Sequence, residues 1–139
     1  MWKGNATIIT QKATINQLWN TLTDIQNWNT WDHDISWTSI KGPVKQGAEF
    51  YLKPKDGPKT KLCVLEYTAP NVFSDVAYLP LAKMRTTHRF TQTEQGIEIN
   101  IEVEVRGLLS FLWSRIIAQN QIKGAEQQTQ NLIDKAHMQ

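Results

Sequence analysis

Residues 97–136 read IEINIEVEVRGLLSFLWSRIIAQNQIKGAEQQTQNLIDKA, and two different hydrophobic periods meet inside that stretch. Ile97, Ile99, Ile101, Val103 and Val105 alternate with Glu98, Asn100, Glu102, Glu104 and Arg106, the period of two that belongs to a strand with one dry and one wet face. Beyond Gly107 the period changes. Phe111, Ala118, Ile122, Ala125, Thr129, Leu132 and Ala136 recur at helical steps, which predicts one long helix over Leu108 to Ala136 with these residues on its gripped face. The first half of that helix is apolar on its other side as well, through Leu109, Leu112, Trp113, Ile116 and Ile117. A helix apolar all round is covered on both sides or has a partner. A strand with one dry face belongs to a sheet that must bury it, and only the terminal helix is long enough to do so.

Working back from this stretch, turn signals stand at Gly42-Pro43 to Gly47, Pro54 to Pro58, Ala69-Pro70-Asn71, Leu79 to Ala82 and Glu94-Gln95-Gly96. They divide the chain into strands at about 35–41, 47–53, 59–68, 72–78, 83–94 and 97–106. Links this short imply an antiparallel meander, since parallel neighbours need long crossovers. A two-residue loop at Gln95-Gly96 predicts Ile101 opposite Phe90, Val103 opposite His88 and Glu102 opposite Arg89, with His88 facing inward. Ahead of the meander, residues 5–11 are rich in β-branched types and read as a first strand. Thr14 with Gln17 three places on is a capping-box signature for a helix carrying Ile15, Leu18, Trp19 and Leu22, and Asp24 is placed to cap a second short turn through Trp28. No repeat, low-complexity segment or linker interrupts the 139 residues, so 1–139 is expected to be one domain.

The 15 basic and 13 acidic side chains leave a net charge of +2, too balanced to argue for nucleic acid. The single cysteine, Cys63, excludes an internal disulfide framework. There is no apolar run of signal-peptide or membrane-span length, and the expectation is a cytoplasmic protein. Charge is uneven along the chain, with Lys41, Lys45, Lys53, Lys55, Lys59 and Lys61 against only Glu49 and Asp56 in residues 41–61.

The order of strand, two short helices, six strands and long helix resembles the START-like, helix-grip (Bet v 1-like) superfamily. The likeness is closest to the bacterial polyketide cyclase/dehydratase-like (SRPBCC) group. It is carried by the helix start Ile15 to Asp24, by Asn27-Trp28 and Trp31, by the Gly42 to Gly47 turn and by Arg106-Gly107-Leu108-Leu109. The resemblance implies an α+β fold in which a seven-stranded antiparallel sheet wraps round the C-terminal helix with a ligand cavity between them. It brings no catalytic signature and no cofactor.

Alternate turns of a meander fall at the same end of the sheet, so the turns at 54–58 and 79–82 should cluster with the 106–108 handover. Leu79, Leu81, Leu109, Leu112 and Trp113 would then form an apolar lip with a basic rim, suited to an amphipathic guest or to contact with a membrane or protein. His88, inward among apolar neighbours, is a candidate to orient a ligand. Tyr78 beside the lip offers a hydroxyl, and Trp37, Phe50 and Phe90 are candidate wall residues. Asp32-His33-Asp34 lacks a second histidine at ligand spacing, so no metal site is expected. Asp75 and Glu66, on neighbouring strands, are a weak acid/base pair, and alternation leaves the faces of both and of Arg85 open. The leading expectation is a binding domain for a small hydrophobic or amphipathic molecule. Two alternatives are a cyclase- or dehydratase-type enzyme and a docking module that uses the start of the long helix.

Overall fold

The computed structural model describes residues 1–139. Seven strands form one antiparallel sheet: β1 (Trp2–Thr10), β2 (Ile35–Ile40), β3 (Glu49–Pro54), β4 (Thr60–Thr68), β5 (Val72–Leu79), β6 (Ala82–Thr93) and β7 (Gly96–Arg106). Their spatial order is β1-β7-β6-β5-β4-β3-β2, a meander with the first strand added beside the last. Between β1 and β2 lie α1 (Ile15–Thr23) and a 3₁₀ helix (Ile25–Thr30). The expected capping box closes α1: the Gln17 amide donates to Thr14 Oγ1 at 3.1 Å and the Thr14 amide donates to Gln17 Oε1 at 3.0 Å. Asp24, in contrast, caps nothing; its carboxylate accepts from Asn27 Nδ2 at 2.8 Å.

The β6–β7 register differs from the expected one by two residues. The loop is Glu94-Gln95, with Thr93 opposite Gly96, Phe90 opposite Ile99 and His88 opposite Ile101. Thr93 fixes it, its hydroxyl donating to the Gly96 carbonyl at 2.8 Å and accepting from the Gln95 amide at 3.2 Å. Gly96 adopts φ +128°, and a Cβ there would stand 2.4 Å from the Thr10 carbonyl oxygen where β1 passes. A slip of two preserves every facing, so His88 still points inward as alternation predicts. Arg89 lies across from Asn100, and its guanidinium reaches Glu102 diagonally at 3.9 Å.

The terminal helix is divided into four segments: α2 (Ser110–Trp113), a π-helical turn (Ser114–Ala118), α3 (Gln119–Lys123) and α4 (Ala125–His137). Ala118, Ala125, Thr129, Leu132 and Ala136 are buried on the expected face, joined by Ile133. Phe111 is not, being 66% exposed. The i→i+5 bonding of a π turn inserts a residue, which turns everything before it by about 100°. Ser114 occupies the buried position instead, its hydroxyl bonded to the Phe111 carbonyl at 2.7 Å.

The core lies between the concave face of the sheet and α1, the 3₁₀ helix and α4, with Leu18, Leu22, Ile25, Phe50, Phe73, Phe90, Ile99 and Leu132 fully buried. Trp28 meets Phe50 edge-on at 5.5 Å and donates Nε1–H to the Leu22 carbonyl at 2.7 Å, so its ring is buried with its one polar atom satisfied. Trp37 departs from the expectation of a cavity wall. It pairs with Lys53 on the outer face and is 40% exposed, while its neighbour Thr38 faces inward and donates to the Ile25 carbonyl at 2.6 Å.

Candidate ligand site between sheet and helix

On the concave face, inward positions are occupied by β5 residues Phe73, Asp75 and Ala77 and by β6 residues Met84, Thr86, His88 and Phe90. Register places Asp75 opposite Thr86 and Phe73 opposite His88. Apolar walls surround this polar spot, with Val64 opposite Asp75 on the β4 side and Ile101 and Val103 opposite His88 and Thr86 on the β7 side. From the helix, Gln121 Nε2 donates to Thr86 Oγ1 at 3.4 Å. Four polar side chains from three elements thus meet beneath the helix.

Two of the four are short of partners. His88 Nδ1 is shut from solvent without a hydrogen bond, and the Asp75 carboxyl, on a buried residue, accepts none from the protein. Elsewhere in the molecule Trp31 Nε1, Ser74 Oγ and Thr129 Oγ1 are likewise buried and unpaired. Burial pushes the Asp75 carboxyl up to about 7 and the His88 imidazole down to about 4, because removing water penalises the charged form of each. Near neutral pH the imidazole is therefore uncharged, and the carboxyl is poised between its two forms. Buried polar groups are nearly always paired, so this cluster calls for an explanation.

Packing is also uneven across the concave face. Phe90 and Phe73, toward the β6–β7 turn, are fully buried, whereas Leu52, Met84, His88 and Gln121 keep accessible surface although they face inward. The end at the 79–82 turn is the looser one only on its outside: Leu81 and Leu108 stand exposed there, while Val103, Val105 and Ala118 behind them are fully buried. At that looser end the 79–82 turn and the helix start meet as the parity of the turns predicts. The Leu109 amide donates to the Leu81 carbonyl at 3.2 Å, and Trp113 Nε1 donates to the Pro80 carbonyl at 2.8 Å. A shallow groove of about 490 Å³ runs here, lined by Tyr78, Leu79, Leu81, Ala82, Lys83, Arg106, Gly107 and Leu108. The β3–β4 turn, expected in the same cluster, does not line it.

The candidate residues separate into two groups. His88, Phe50 and Phe90 face the interior, and Leu79, Leu81, Leu109, Leu112 and Trp113 gather at the looser end. Tyr78 belongs to neither wall of the interior: it is exposed on the outer face, where the Lys83 ammonium stands 5.7 Å from its ring. Asp75 and Glu66 do not pair. A bulge at Leu65 sends Glu66 outward opposite Ser74, whereas Asp75 points inward opposite Val64. Arg85, opposite Val76 and Glu104, is exposed on the outer face. Thr86 and Gln121 are the site residues that pattern reading passed over, and it weighed Asp75 only against Glu66. The β5–β6 register alone pairs Asp75 with Thr86, and nothing local announces it.

Asp32 is held apart from this site. It accepts from Gln128 Nε2 of α4 and from the Asp34 amide at 3.1 Å, which ties the loop before β2 to the helix. Burial nevertheless raises its carboxyl above the usual range, the two hydrogen bonds pulling the other way.

A curved seven-stranded antiparallel sheet closed by a C-terminal helix defines a helix-grip, Bet v 1-like protein. The chain belongs to the polyketide cyclase / dehydrase and lipid transport family, whose profile it matches over residues 1–136. Among solved structures it is similar to the hypothetical protein jhp0584 from Helicobacter pylori, at 9% identity over 97% of this chain and 88% of that one, with a TM-score of 0.78. It is similar also to the crystal structure of Ara h 8.0201, at 8% identity over 99% of both chains with a TM-score of 0.77. The di-domain ARO/CYC StfQ of the steffimycin biosynthetic pathway matches at 12% identity and a TM-score of 0.72, this chain covering 50% of its length. No curated protein matches it in sequence. Identities this low establish the shared fold.

Proposed function

We propose that this protein binds a small amphipathic molecule between the concave sheet and the C-terminal helix. The observation that carries the reading is the buried His88 Nδ1 without a partner, on the same face as the desolvated Asp75 carboxyl and set among apolar walls. A guest with a hydroxyl or carbonyl at one end would supply the missing hydrogen bonds, and its apolar body would lie along Met84 and Leu52. Burial of that body contributes about 25 cal/mol per Å², while the polar groups set orientation. The family's description, which includes lipid transport, supports the same class of guest. Native mass spectrometry of the freshly purified protein is expected to show a bound species, and the fluorophore anilinonaphthalene sulfonate should saturate one site. His88→Ala is expected to weaken that uptake roughly tenfold, the loss of about one hydrogen bond. Absence of both a co-purifying species and saturable uptake would refute the reading.

A second reading has one observation in its favour. A carboxyl held at about 7 near a neutral imidazole is tuned for proton transfer at neutral pH, the requirement of a cyclase or dehydratase acting on a polyketide-like substrate. In that case Asp75→Asn would abolish turnover while leaving guest uptake nearly unchanged. In a carrier, the same substitution changes affinity only.

A further inference from the structure

At the looser end of the sheet, five large apolar side chains stand in water. Leu81 is 64% exposed, Leu108 82%, Phe111 66%, Ile116 52% and Leu112 37%. They are not loose ends of chain. Leu81 is held in a left-handed turn at φ +55°, and Gly107 packs so tightly on it that a Cβ would lie 2.5 Å from the Leu81 carbonyl oxygen. The Leu109 amide and the Trp113 indole then fasten α2 to residues 80 and 81. A soluble monomer rarely holds a contiguous apolar cluster outward on such a braced base.

The charge around the cluster has one sign. Between Val76 and Thr87, and again between Gly107 and Gln119, the chain carries no acidic residue, while Lys83, Arg85 and Arg115 fall within those two segments. The nearest acid, Glu104, is nearly buried against Arg106 and sits in register between Lys3 on β1 and Arg85 on β6. Asp56 on the β3–β4 hairpin, at the same end, stands among Lys53, Lys55 and Lys59. A second copy docking by two-fold symmetry would set this basic rim against itself, which the like charges oppose. An apolar tip inside a basic, acid-poor rim fits the headgroup region of an anionic bilayer, where each cation adds to the attraction and the apolar side chains enter the acyl boundary.

We infer that this end of the molecule docks on anionic phospholipid membranes, with Leu81, Leu108, Phe111, Leu112 and Ile116 inserted and Lys83, Arg106 and Arg115 against the headgroups. Docking stands independently of guest binding, because it rests on the outside of the fold. The test is flotation with phosphatidylcholine vesicles with and without phosphatidylglycerol, alongside fluorophore uptake in solution. The wild-type protein should float with the anionic vesicles, remain behind with the neutral ones, and detach as salt is raised. Leu108→Asp with Phe111→Asp should abolish flotation. Lys83→Glu with Arg115→Glu, which removes no buried contact, should weaken it by at least fivefold per position and keeps the test open if the apolar variant misfolds. Ile9→Asp, on the opposite end, should change nothing, and fluorophore uptake should survive in every variant. Flotation that is absent, equal on neutral vesicles, or unchanged in both double variants would overturn the inference, as would a wild-type dimer in light scattering that Leu108→Asp dissociates.

Discussion

Asp75 and His88 titrate in opposite directions, and each leaves its own mark on stability. The Asp75 carboxyl, raised to about 7 by burial, favours the neutral form in the fold. Its contribution is complete below its ordinary value near 4 and is lost as pH rises through about 7. Asp75→Asn is therefore expected to raise Tm at about pH 8 by the equivalent of a few kcal/mol and to change little at about pH 4, measured by thermal unfolding across that window. His88, lowered to about 4, favours the neutral imidazole. Its contribution is complete above its ordinary value near 6.5 and is lost as pH falls through about 4, so His88→Gln should remove an acid-side loss of stability. A His88→Gln protein that loses stability in acid just as the wild type does would place the imidazole outside the low-dielectric interior. Phe73 provides a plainer comparison. It is fully buried against Trp19 and Trp28, and Phe73→Ala should cost about 3–5 kcal/mol in denaturant unfolding.

Among the elements, the terminal helix departs most from its sequence pattern. The seven-residue step from Phe111 to Ala118 keeps phase only in an unbroken α-helix, and the π turn at Ser114–Ala118 breaks that phase. Deleting the exposed Ile116 should restore α-helical bonding and leave six steps from Phe111 to Ala118, so that Phe111 stays exposed and Trp113 stays on Pro80. An indole N–H resonance that moves in the variant would show that the π turn is not a simple one-residue insertion. Strands behave otherwise. Their side chains alternate strictly, so a register error of two at β6–β7 left every inward residue inward. The bulges at Leu65 and between Ile35 and Trp37 are the places where counting by twos fails, and they decide the outward facing of Glu66 and Trp37.

For the molecule as a whole, a guest bound beside Asp75 and His88, as proposed, would couple stability to occupancy. A species bound only by the folded state raises Tm by mass action. Stripping the co-purified guest should lower Tm by several degrees, and adding back the extract should restore it. A stripped protein with unchanged Tm would mean that the interior is self-sufficient. No helix is long and apolar enough to cross a membrane.

Local pattern was enough for the strands, the capped α1, the antiparallel meander and the helix that covers it, because each rests on periods and turns read within a few residues. The inward face of His88 and the meeting of the 79–82 turn with the helix start also followed, since parity survives small errors of register. What tertiary structure alone decided is the pairing of Asp75 with Thr86, the approach of Gln121 from the helix, and the exposure of Phe111. Asp75 and Gln121 are 46 residues apart in the chain, and no local period encodes a distance across a sheet. Their meeting depends on bulges, on a π turn and on where the helix lies, and those are settled by packing the whole molecule at once.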